Sequence, residues 1–222
     1  MLVKLIGITK PSDAVECKTA EDLIAYTARV SNPNNQNNFT TAGKLIKYLI
    51  KESHWSPFEM VHVVMEIQTT RDISRQIIRH RSFSFQEFSQ RYAVSENFTT
   101  REVRLQDTKN RQNSIYPDND EVIPFSIAFD KLQQEVIDLS TINYKTALSL
   151  GIAKEQARAL LPEGLTETTI YMSGTLRSWI HYVDLRANEG TQKEHRVIAE
   201  SCKEIILEQF PMLSDYWSKE QL

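Results

Sequence analysis

The segment RHRSFSFQEFSQRY, from Arg79 to Tyr92, concentrates side chains that bind anions. It holds three arginines and a histidine beside four hydroxyl groups, three phenylalanines and one carboxylate, Glu87. Guanidinium groups pair bidentately with phosphate, and serine hydroxyls add short hydrogen-bond donors. Exposed loops rarely carry so many phenylalanines, so we expect these rings to pack against an apolar wall that holds the polar side chains. The segment therefore predicts a phosphate or nucleotide pocket rather than a solvated loop.

The same residues also suit an RNA- or DNA-binding module. Its arginines would contact phosphates and its phenylalanines would stack on bases, and the residues concerned are Arg79, Arg81, Arg91, Phe83, Phe85 and Phe88. The formal net charge of −3 and the pI of about 6.0 disfavour this class, because nucleic-acid-binding domains usually carry a basic surface. We expect no nucleic-acid partner. Salt titration separates the two classes, since nucleic-acid affinity collapses with ionic strength.

The composition is that of an ordinary globular protein, with 41% hydrophobic and 25% charged residues. The 222 residues suffice for one hydrophobic core, and we expect a single domain over residues 1–222. No apolar run approaches the length of a membrane span. The N-terminal MLVKLIGITK lacks the long apolar centre and small-residue cleavage site of a secretory signal. We therefore expect a cytoplasmic protein with no membrane partner.

Hydrophobic periodicity predicts an α+β fold with a central, mostly antiparallel sheet flanked by helices. Strands are predicted over residues 2–8, 61–67 and 166–172. Helices are predicted over residues 19–30, 40–53, 72–80, 125–150, 175–185 and 192–210, with Thr19 as the first N-cap and Gly151 as a C-terminal stop. Arg71, Arg75 and Arg79 repeat at four-residue spacing, so each of these like charges needs a partner elsewhere. The polar segment 95–121 lacks a period and predicts a surface excursion.

The spacing within Arg79–Tyr92 resembles the signature of flavin-dependent thymidylate synthases, RHRxxSxNExSxRY. Every fixed position matches, except that Gln86 replaces the usual asparagine. A pattern of this length is much more specific than a short glycine motif. Other blocks that resemble the family follow in the expected order across most of the chain: ARVS ending at Ser31, HWSPFE at 54–59, ARALLP at 157–162 and LRSWIHYVDLR at 176–186.

The resemblance implies an enzyme that reductively methylates dUMP to dTMP. In this family methylenetetrahydrofolate supplies the carbon, FAD carries the hydride and NADPH reduces the flavin. The resemblance also implies a homotetramer whose FAD and dUMP sites lie between subunits. The partners expected are therefore dUMP, a folate and further copies of this chain.

The two cysteines, Cys17 and Cys202, agree with this flavin chemistry, which needs no protein thiol. A cysteine that attacks a uracil ring needs an electropositive, partly exposed position. Both cysteines lie in helical patterns, which predicts structural, free thiols in a reducing compartment rather than a disulfide.

The resemblance assigns site residues position by position. It places flavin contacts on Ser31, His54, Ser56, Arg79, His80, Arg81, Glu87, Arg177 and His181. It places dUMP contacts on Gln76, Arg79, Glu87, Ser89, Gln90, Arg91, Arg158 and Arg186. Arg186 is predicted to be the catalytic residue, because a fixed cation against the uracil ring favours the N3-deprotonated, more nucleophilic base. A purely structural alternative stays open for His54, which could cap or pack beside Trp55.

The chain departs from the family pattern at a few positions. They are Met60 and Gly190, where histidines are common, Thr175 and His181, where asparagines are common, and Gln86. These departures leave open a third class, a protein that binds flavin and nucleotide without turnover.

Other constellations have simpler interpretations. Glu59 and His62 form an ExxH pair, but strand periodicity and the lack of a second pair predict no metal site. The final helix carries acidic residues that we expect to be solvated: Glu194, Glu200, Glu204 and Glu208. A stripe of Trp179, Tyr182 and Leu185 predicts a core or subunit-interface face.

Overall fold

A four-stranded antiparallel sheet organises the computed structural model, which describes residues 2–117 and 119–218. Its strands are β1 (Leu2–Ile8), β2 (His62–Thr70), β3 (Ser84–Glu87) and β6 (Glu167–Thr175), in the order β1-β2-β6-β3. The register pairs Met65 of β2 with Leu5 of β1 and Met172 of β6, and it pairs Phe85 of β3 with Met172. The predicted α+β class with an antiparallel sheet is confirmed.

Helices cover one face of this sheet. They are α1 (Ala20–Ala28), α2 (Ala42–Lys51), α3 (Arg71–Ile77), α6 (Leu176–Arg186), α7 (Lys193–Gln209) and α8 (Ser214–Ser218). Alternate residues of β2, such as Val63, Met65 and Ile67, point into a core that also holds Ile46 of α2 and Trp179 of α6. A shift of the strand pairing by one residue would turn this apolar set to the other face of the sheet, so the alternation fixes the register.

The helix ends follow the chemistry of their caps. Thr19 caps α1 in a reciprocal capping box with Asp22, as predicted. Thr175 caps α6 by accepting a hydrogen bond from the Ser178 amide. The long helix α4 (Asn119–Ser149) ends before Gly151, whose φ of 80° is the left-handed conformation that glycine adopts without strain. The short helix α5 (Lys154–Ala157) follows it.

The strand β3 was not predicted from the sequence, which assigned no helix or strand to the residues that follow the helix predicted over 72–80. Phe83 is buried against Trp179 and Tyr182, with ring centroids 4.9 and 6.0 Å apart. A Cβ atom on Gly174 of β6 would lie 2.4 Å from the Phe83 ring, so only glycine permits this approach. Burial also prevents Phe83 from stacking on a nucleic-acid base. Phe88, in contrast, is exposed rather than packed against a wall as predicted.

The segment predicted as an unstructured excursion, 95–121, has more structure than expected. It contains a small hairpin of β4 (Leu105–Gln106) and β5 (Ser114–Ile115), and α4 begins within it, at Asn119 rather than Phe125. Residue 118 lies outside the described residues. Arg101 reaches back to Asp72 at 2.8 Å, which ties the segment to the start of α3. In the part of the chain that the structure describes, none of the helices is both long and apolar enough to cross a membrane.

Candidate functional site

The Arg186 cluster, which we define as Arg186, His80, Tyr182, His195 and Gln76, lies where the ends of α3 and α6 meet the start of α7. The Arg186 Nε group donates a hydrogen bond to Nε2 of His80 at 3.0 Å. The His80 ring meets Tyr182 edge to face, with centroids 4.9 Å apart. Arg186, predicted from one part of the chain, is thus brought together with Gln76 and His80, predicted from another.

The His80 imidazole is neutral in this cluster. Burial lowers the pKa of His80 to about 4, and the positive charges of Arg186 and Arg79 act in the same direction. A neutral imidazole has one acceptor nitrogen, and Arg186 can only donate, so the His80 proton lies on Nδ1. Among the described residues, the Nη groups of Arg186 have no hydrogen-bond partner. The guanidinium is therefore held by one edge while its fork remains available to a ligand.

His195 is a member that the sequence did not predict. Its ring is fully buried, with Nε2 at 3.1 Å from the Tyr182 hydroxyl and Nδ1 at 3.2 Å from Oε1 of Gln76. Burial lowers the pKa of His195 to about 3, and the charge of Arg186 adds to the effect. The one available signal was a histidine in the first turn of a helix whose neighbouring apolar residues face the core.

The Glu87 cluster is a second group, formed by Glu87 with Ser74, Thr168, Arg71 and Arg75. Glu87 accepts hydrogen bonds from the hydroxyls of Ser74 at 2.9 Å and Thr168 at 3.1 Å. Arg71 and Arg75 lie 3.6 and 4.0 Å from its oxygens. Burial lowers the pKa of Arg71, and the charges of Arg75 and Arg158 add to this against the opposing charge of Glu87. Two of the three arginines spaced along α3 thus have the partners that the spacing required.

The turn after β3 brings the predicted phosphate ligands together. Arg91 pairs with Glu155 at 3.2 Å, and Arg158 donates to the Glu155 carbonyl at 3.2 Å. Gln90 is buried and its Nε2 group has no hydrogen-bond partner among the described residues. A buried donor without a partner costs free energy, which is typical of a group that meets a ligand or another chain. Ser89 lies in the same turn, where its hydroxyl accepts from the Arg91 amide at 3.4 Å.

The His54 cleft is a third group, with a volume of about 510 Å³. His54, Ser56 and Arg177 line it. Arg177 also forms an ion pair with Glu59, and the exposed His181 ring packs edge to face on Trp55 with centroids 4.9 Å apart. Four of the predicted flavin residues therefore lie in one region.

The remaining predicted residues are not joined to these groups. Ser31 is exposed in the loop after α1 and does not itself line the His54 cleft, although Ala28, at the end of α1, does. Arg79 and Arg81 are exposed, and neither has an ion pair within the described ranges. For Arg79 this contradicts the expectation of a partner, which was based on a helix that ends at Ile77 rather than His80.

Other predicted features are corrected in part. Glu194 is buried and paired with Arg104 rather than solvated, whereas Glu200, Glu204 and Glu208 are exposed as predicted. Leu185 is exposed, although Trp179 and Tyr182 are core residues. Within residues 2–117 and 119–218 no group of histidine, cysteine or carboxylate side chains is arranged to hold a metal.

Comparison with known proteins identifies the family to which the chain is similar. Residues 14–212 match the family described as thymidylate synthase complementing protein. The chain is 51% identical over 218 residues to a probable flavin-dependent thymidylate synthase of Paramecium bursaria Chlorella virus 1, covering 96% of this chain and 97% of that one. It is 46% identical over 217 residues to a flavin-dependent thymidylate synthase of Synechocystis sp., covering 96% and 98%.

A solved structure shares the fold. The chain superimposes on a UMP/dUMP methylase, PolB, from Streptomyces cacaoi bound with 5-Br dUMP, with a TM-score of 0.81 and 22% identity. The match covers 98% of this chain and 94% of that one. The match shows that the chain shares the fold of this protein.

Proposed function

The chain belongs to the flavin-dependent thymidylate synthase family, and from this premise we propose that it converts dUMP to dTMP with FAD as hydride carrier. Methylenetetrahydrofolate is the proposed carbon donor and NADPH the proposed reductant. The observation that carries the proposal is the Arg186 cluster, where a guanidinium fork whose Nη groups have no partner among the described residues belongs to the same cluster as Gln76.

Arg186 is the proposed catalytic residue. His80 accepts from Nε and so fixes the plane of the guanidinium, which leaves Nη1 and Nη2 to face the uracil ring. A fixed cation there stabilises negative charge on the base, and a site shielded from water strengthens that effect. Arg186 thereby makes the ring more nucleophilic without any protein thiol.

The turn after β3 is the proposed cradle of the nucleotide. Arg91 pairs with the Glu155 carboxylate and Arg158 donates to the Glu155 backbone carbonyl, which places both cations at one residue where a phosphate can compete for them. Ser89 and the unpartnered Gln90 add neutral donors, and Glu87 is fixed on the adjacent strand. These residues, with Gln76, Arg79 and Arg186, are the proposed dUMP ligands.

The flavin ligands that we propose are Ser31, His54, Ser56, Arg79, His80, Arg81, Glu87, Arg177 and His181. Arg79 and Arg81 fit this role because they are exposed cations without ion pairs in the described part of the chain, and a pyrophosphate would neutralise them. The flavin, when bound, supplies the hydride that reduces the transferred carbon. The role of this chain is to bind the phosphates of the flavin with arginines and the polar groups of the flavin with residues of the His54 cleft.

Neither cysteine is a proposed nucleophile. Cys202 has no exposed surface, and burial raises its pKa far above the usual value. Cys17 is also buried, and burial with the nearby Asp22 raises its pKa. Both thiols therefore stay protonated and unreactive at neutral pH.

We propose further that the whole chain is one domain and that it assembles as a homotetramer with sites completed between copies. Support comes from the predicted site residues, which form separate groups within one chain, and from the unpaired cations Arg79 and Arg81. A second copy that faced these cations would bring the groups together. The cytoplasmic location predicted from the sequence stays a prediction.

The experiment that tests this function begins with the visible spectrum of the purified protein. We expect flavin absorbance and release of tritium from 5-tritiated dUMP when methylenetetrahydrofolate and NADPH are both present. Cys202→Ala should retain this activity, because the thiol does not take part. A colourless protein that ignores added FAD, or loss of turnover in Cys202→Ala with the flavin still bound, contradicts the proposal. A yellow protein that binds dUMP and shows no turnover would support the third class instead.

A further inference from the structure

A chain of hydrogen bonds runs from a buried carboxylate to Gln76. Gln192 donates through Nε2 to Glu194 at 2.9 Å, and Gln76 donates through Nε2 to Oε1 of Gln192 at 2.7 Å. Gln76 then contacts His195 through Oε1, and His195 contacts the Tyr182 hydroxyl through Nε2. We call this set, Glu194–Gln192–Gln76–His195–Tyr182, the amide chain.

Glu194 is ionised at one end of the amide chain. Arg104 donates to Oε1 of Glu194, and Arg101 lies 3.6 Å from the same oxygen. Burial alone raises the pKa of Glu194, but hydrogen bonds from Arg104, its own backbone amide and Gln192, with the charge of Arg101, outweigh this and lower it. A carboxylate in this state only accepts hydrogen bonds.

That property fixes the direction of every bond in the amide chain. Because Glu194 only accepts, Gln192 must turn its NH₂ group to Glu194 and its oxygen to Gln76. Gln76 must then turn its own NH₂ group to Gln192 and its oxygen to His195. His195 must carry its proton on Nδ1, which leaves Nε2 to accept from Tyr182. The fixed charge of Glu194 thus sets the orientation of the Gln76 amide, which is two hydrogen bonds away from it in the amide chain.

The amide of Gln76 has two N–H donors and two lone pairs, and the amide chain uses one of each. One donor and one acceptor therefore remain for a ligand, in an order that the chain sets. A free glutamine amide has a broad, roughly two-fold terminal torsion, so a half turn would exchange the two positions. Uracil and cytosine differ in this respect at C4, where a carbonyl oxygen accepts and an amino group donates.

We propose that Glu194, Gln192 and His195 are positioning residues that hold the Gln76 amide in one orientation, and that this orientation selects uracil over cytosine nucleotides. The proposal rests on the proposed function, in which Gln76 is a dUMP ligand and belongs to the same cluster as Arg186, the residue proposed to face the uracil ring. It assigns a role to three residues outside the signature segment, and it assigns the preference for uracil to one orientation of the Gln76 amide.

The test measures calorimetric affinities of the flavin-containing protein for dUMP and dCMP. Gln192→Ala breaks the amide chain at an exposed position while Glu194 keeps its arginines. We expect Gln192→Ala to weaken dUMP binding on the order of fivefold to tenfold, as for one hydrogen bond, and to narrow the dUMP-to-dCMP preference by a similar factor. Gln76→Ala should show at least the same losses.

The double variant separates positioning from a general structural role. If Gln192 acts through Gln76, adding Gln192→Ala to Gln76→Ala changes neither affinity further, because the amide it orients is gone. Gln134→Ala is the matched control, since Gln134 is also exposed and donates to a carboxylate, Asp138, at 2.7 Å. This control should match the parent protein.

Several outcomes overturn the proposal. They are an unchanged dUMP-to-dCMP preference in Gln192→Ala, and additive losses of affinity in the double variant. If the role of Gln192 were only structural, these outcomes would be accompanied by a lowered melting temperature alone. A parent protein that does not bind dUMP refutes the proposed function as well, and it does so before any variant is made. The two failures are therefore distinguishable.

Discussion

The Arg186 guanidinium depends on an imidazole that must stay neutral. A protonated His80 could no longer accept from Nε, and its charge would repel the arginine it now holds. The partners are 106 residues apart in the sequence, and they belong to different elements. The motifs predicted both residues, but nothing in their spacing predicted that they touch. Pairing of this kind arises from the packing of α3 and α6 against α7, which periodicity does not encode.

Arg186 is expected to be needed for turnover and not for flavin binding. Arg186→Ala removes the cation, and Arg186→Lys keeps a charge but loses the planar fork and the Nε donor to His80. We expect dTMP formation to fall on the order of a hundredfold or more in both variants, as for loss of a preorganised charge stabiliser. Flavin absorbance should persist, and it serves as the control for folding. Near-normal turnover in Arg186→Ala would remove this residue from the chemistry.

The buried histidines predict a pH dependence of stability. Folding lowers the pKa of His80 from 6.5 to about 4 and that of His195 from 6.5 to about 3. The unfolded chain therefore binds protons first as the pH falls. The stability that the neutral histidines contribute is fully present above about pH 6.5 and is lost progressively below it. For each histidine the free energy of unfolding falls by up to about 1.4 kcal/mol per pH unit.

Chemical denaturation at pH 7 and pH 5 measures this effect. His195→Asn keeps a donor near the Nδ1 position but has no titrating group in this range. Its loss of stability between the two pH values should be smaller than that of the parent protein, even if its stability at pH 7 is lower. Equal losses in the two proteins would show that His195 does not contribute.

At the scale of elements, the sequence predicted the long helices and the central strands within a few residues. Strong apolar periods and clear caps, such as Thr19, made this possible. The strand β3 was missed because it spans only Ser84–Glu87 and its partner strand is distant in sequence. A short strand is defined by what it pairs with, and its own residues carry little periodicity. Arg101 and Arg104 were missed for the same reason, since their partners Asp72 and Glu194 lie on other elements.

Gly174 is expected to determine whether β3 can dock. In Gly174→Ala the new methyl group would lie 2.4 Å from the Phe83 ring, so the ring or the strand must move. We expect urea denaturation to show a loss of about 1–3 kcal/mol, typical of overpacking, and dUMP affinity to fall because Glu87 and the following turn shift. Gly164→Ala is the control, since its Cβ would meet no atom within 4 Å. Equal stability of the two variants would contradict this account of β3.

For the whole molecule, the site residues predicted together form separate groups in one chain. The sequence could show that these blocks exist and that they occur in the family's order. It could not show their separation, because distance along the chain does not determine distance in space. The groups on one subunit become a single site only if a second copy supplies what the first lacks, which is the tetramer that we propose.

The helix α4 offers the apolar surface that such an assembly needs. Leu132, Val136 and Leu139 repeat along one face of it, and Leu139 is 62% exposed. Contiguous apolar surface of this kind marks interaction sites in soluble proteins.

We expect Leu139→Lys to dissociate the assembly, because burying an unpaired ammonium group at an interface is costly. Gln134→Lys adds the same charge on the same helix near Asp138 and should leave the assembly intact. Sedimentation velocity measures the mass of the assembly in both variants. Tritium release from dUMP should fall only in the variant that dissociates. A parent protein that sediments as a monomer with full activity would contradict the tetramer, and an unchanged mass in Leu139→Lys would move the interface away from this face of α4.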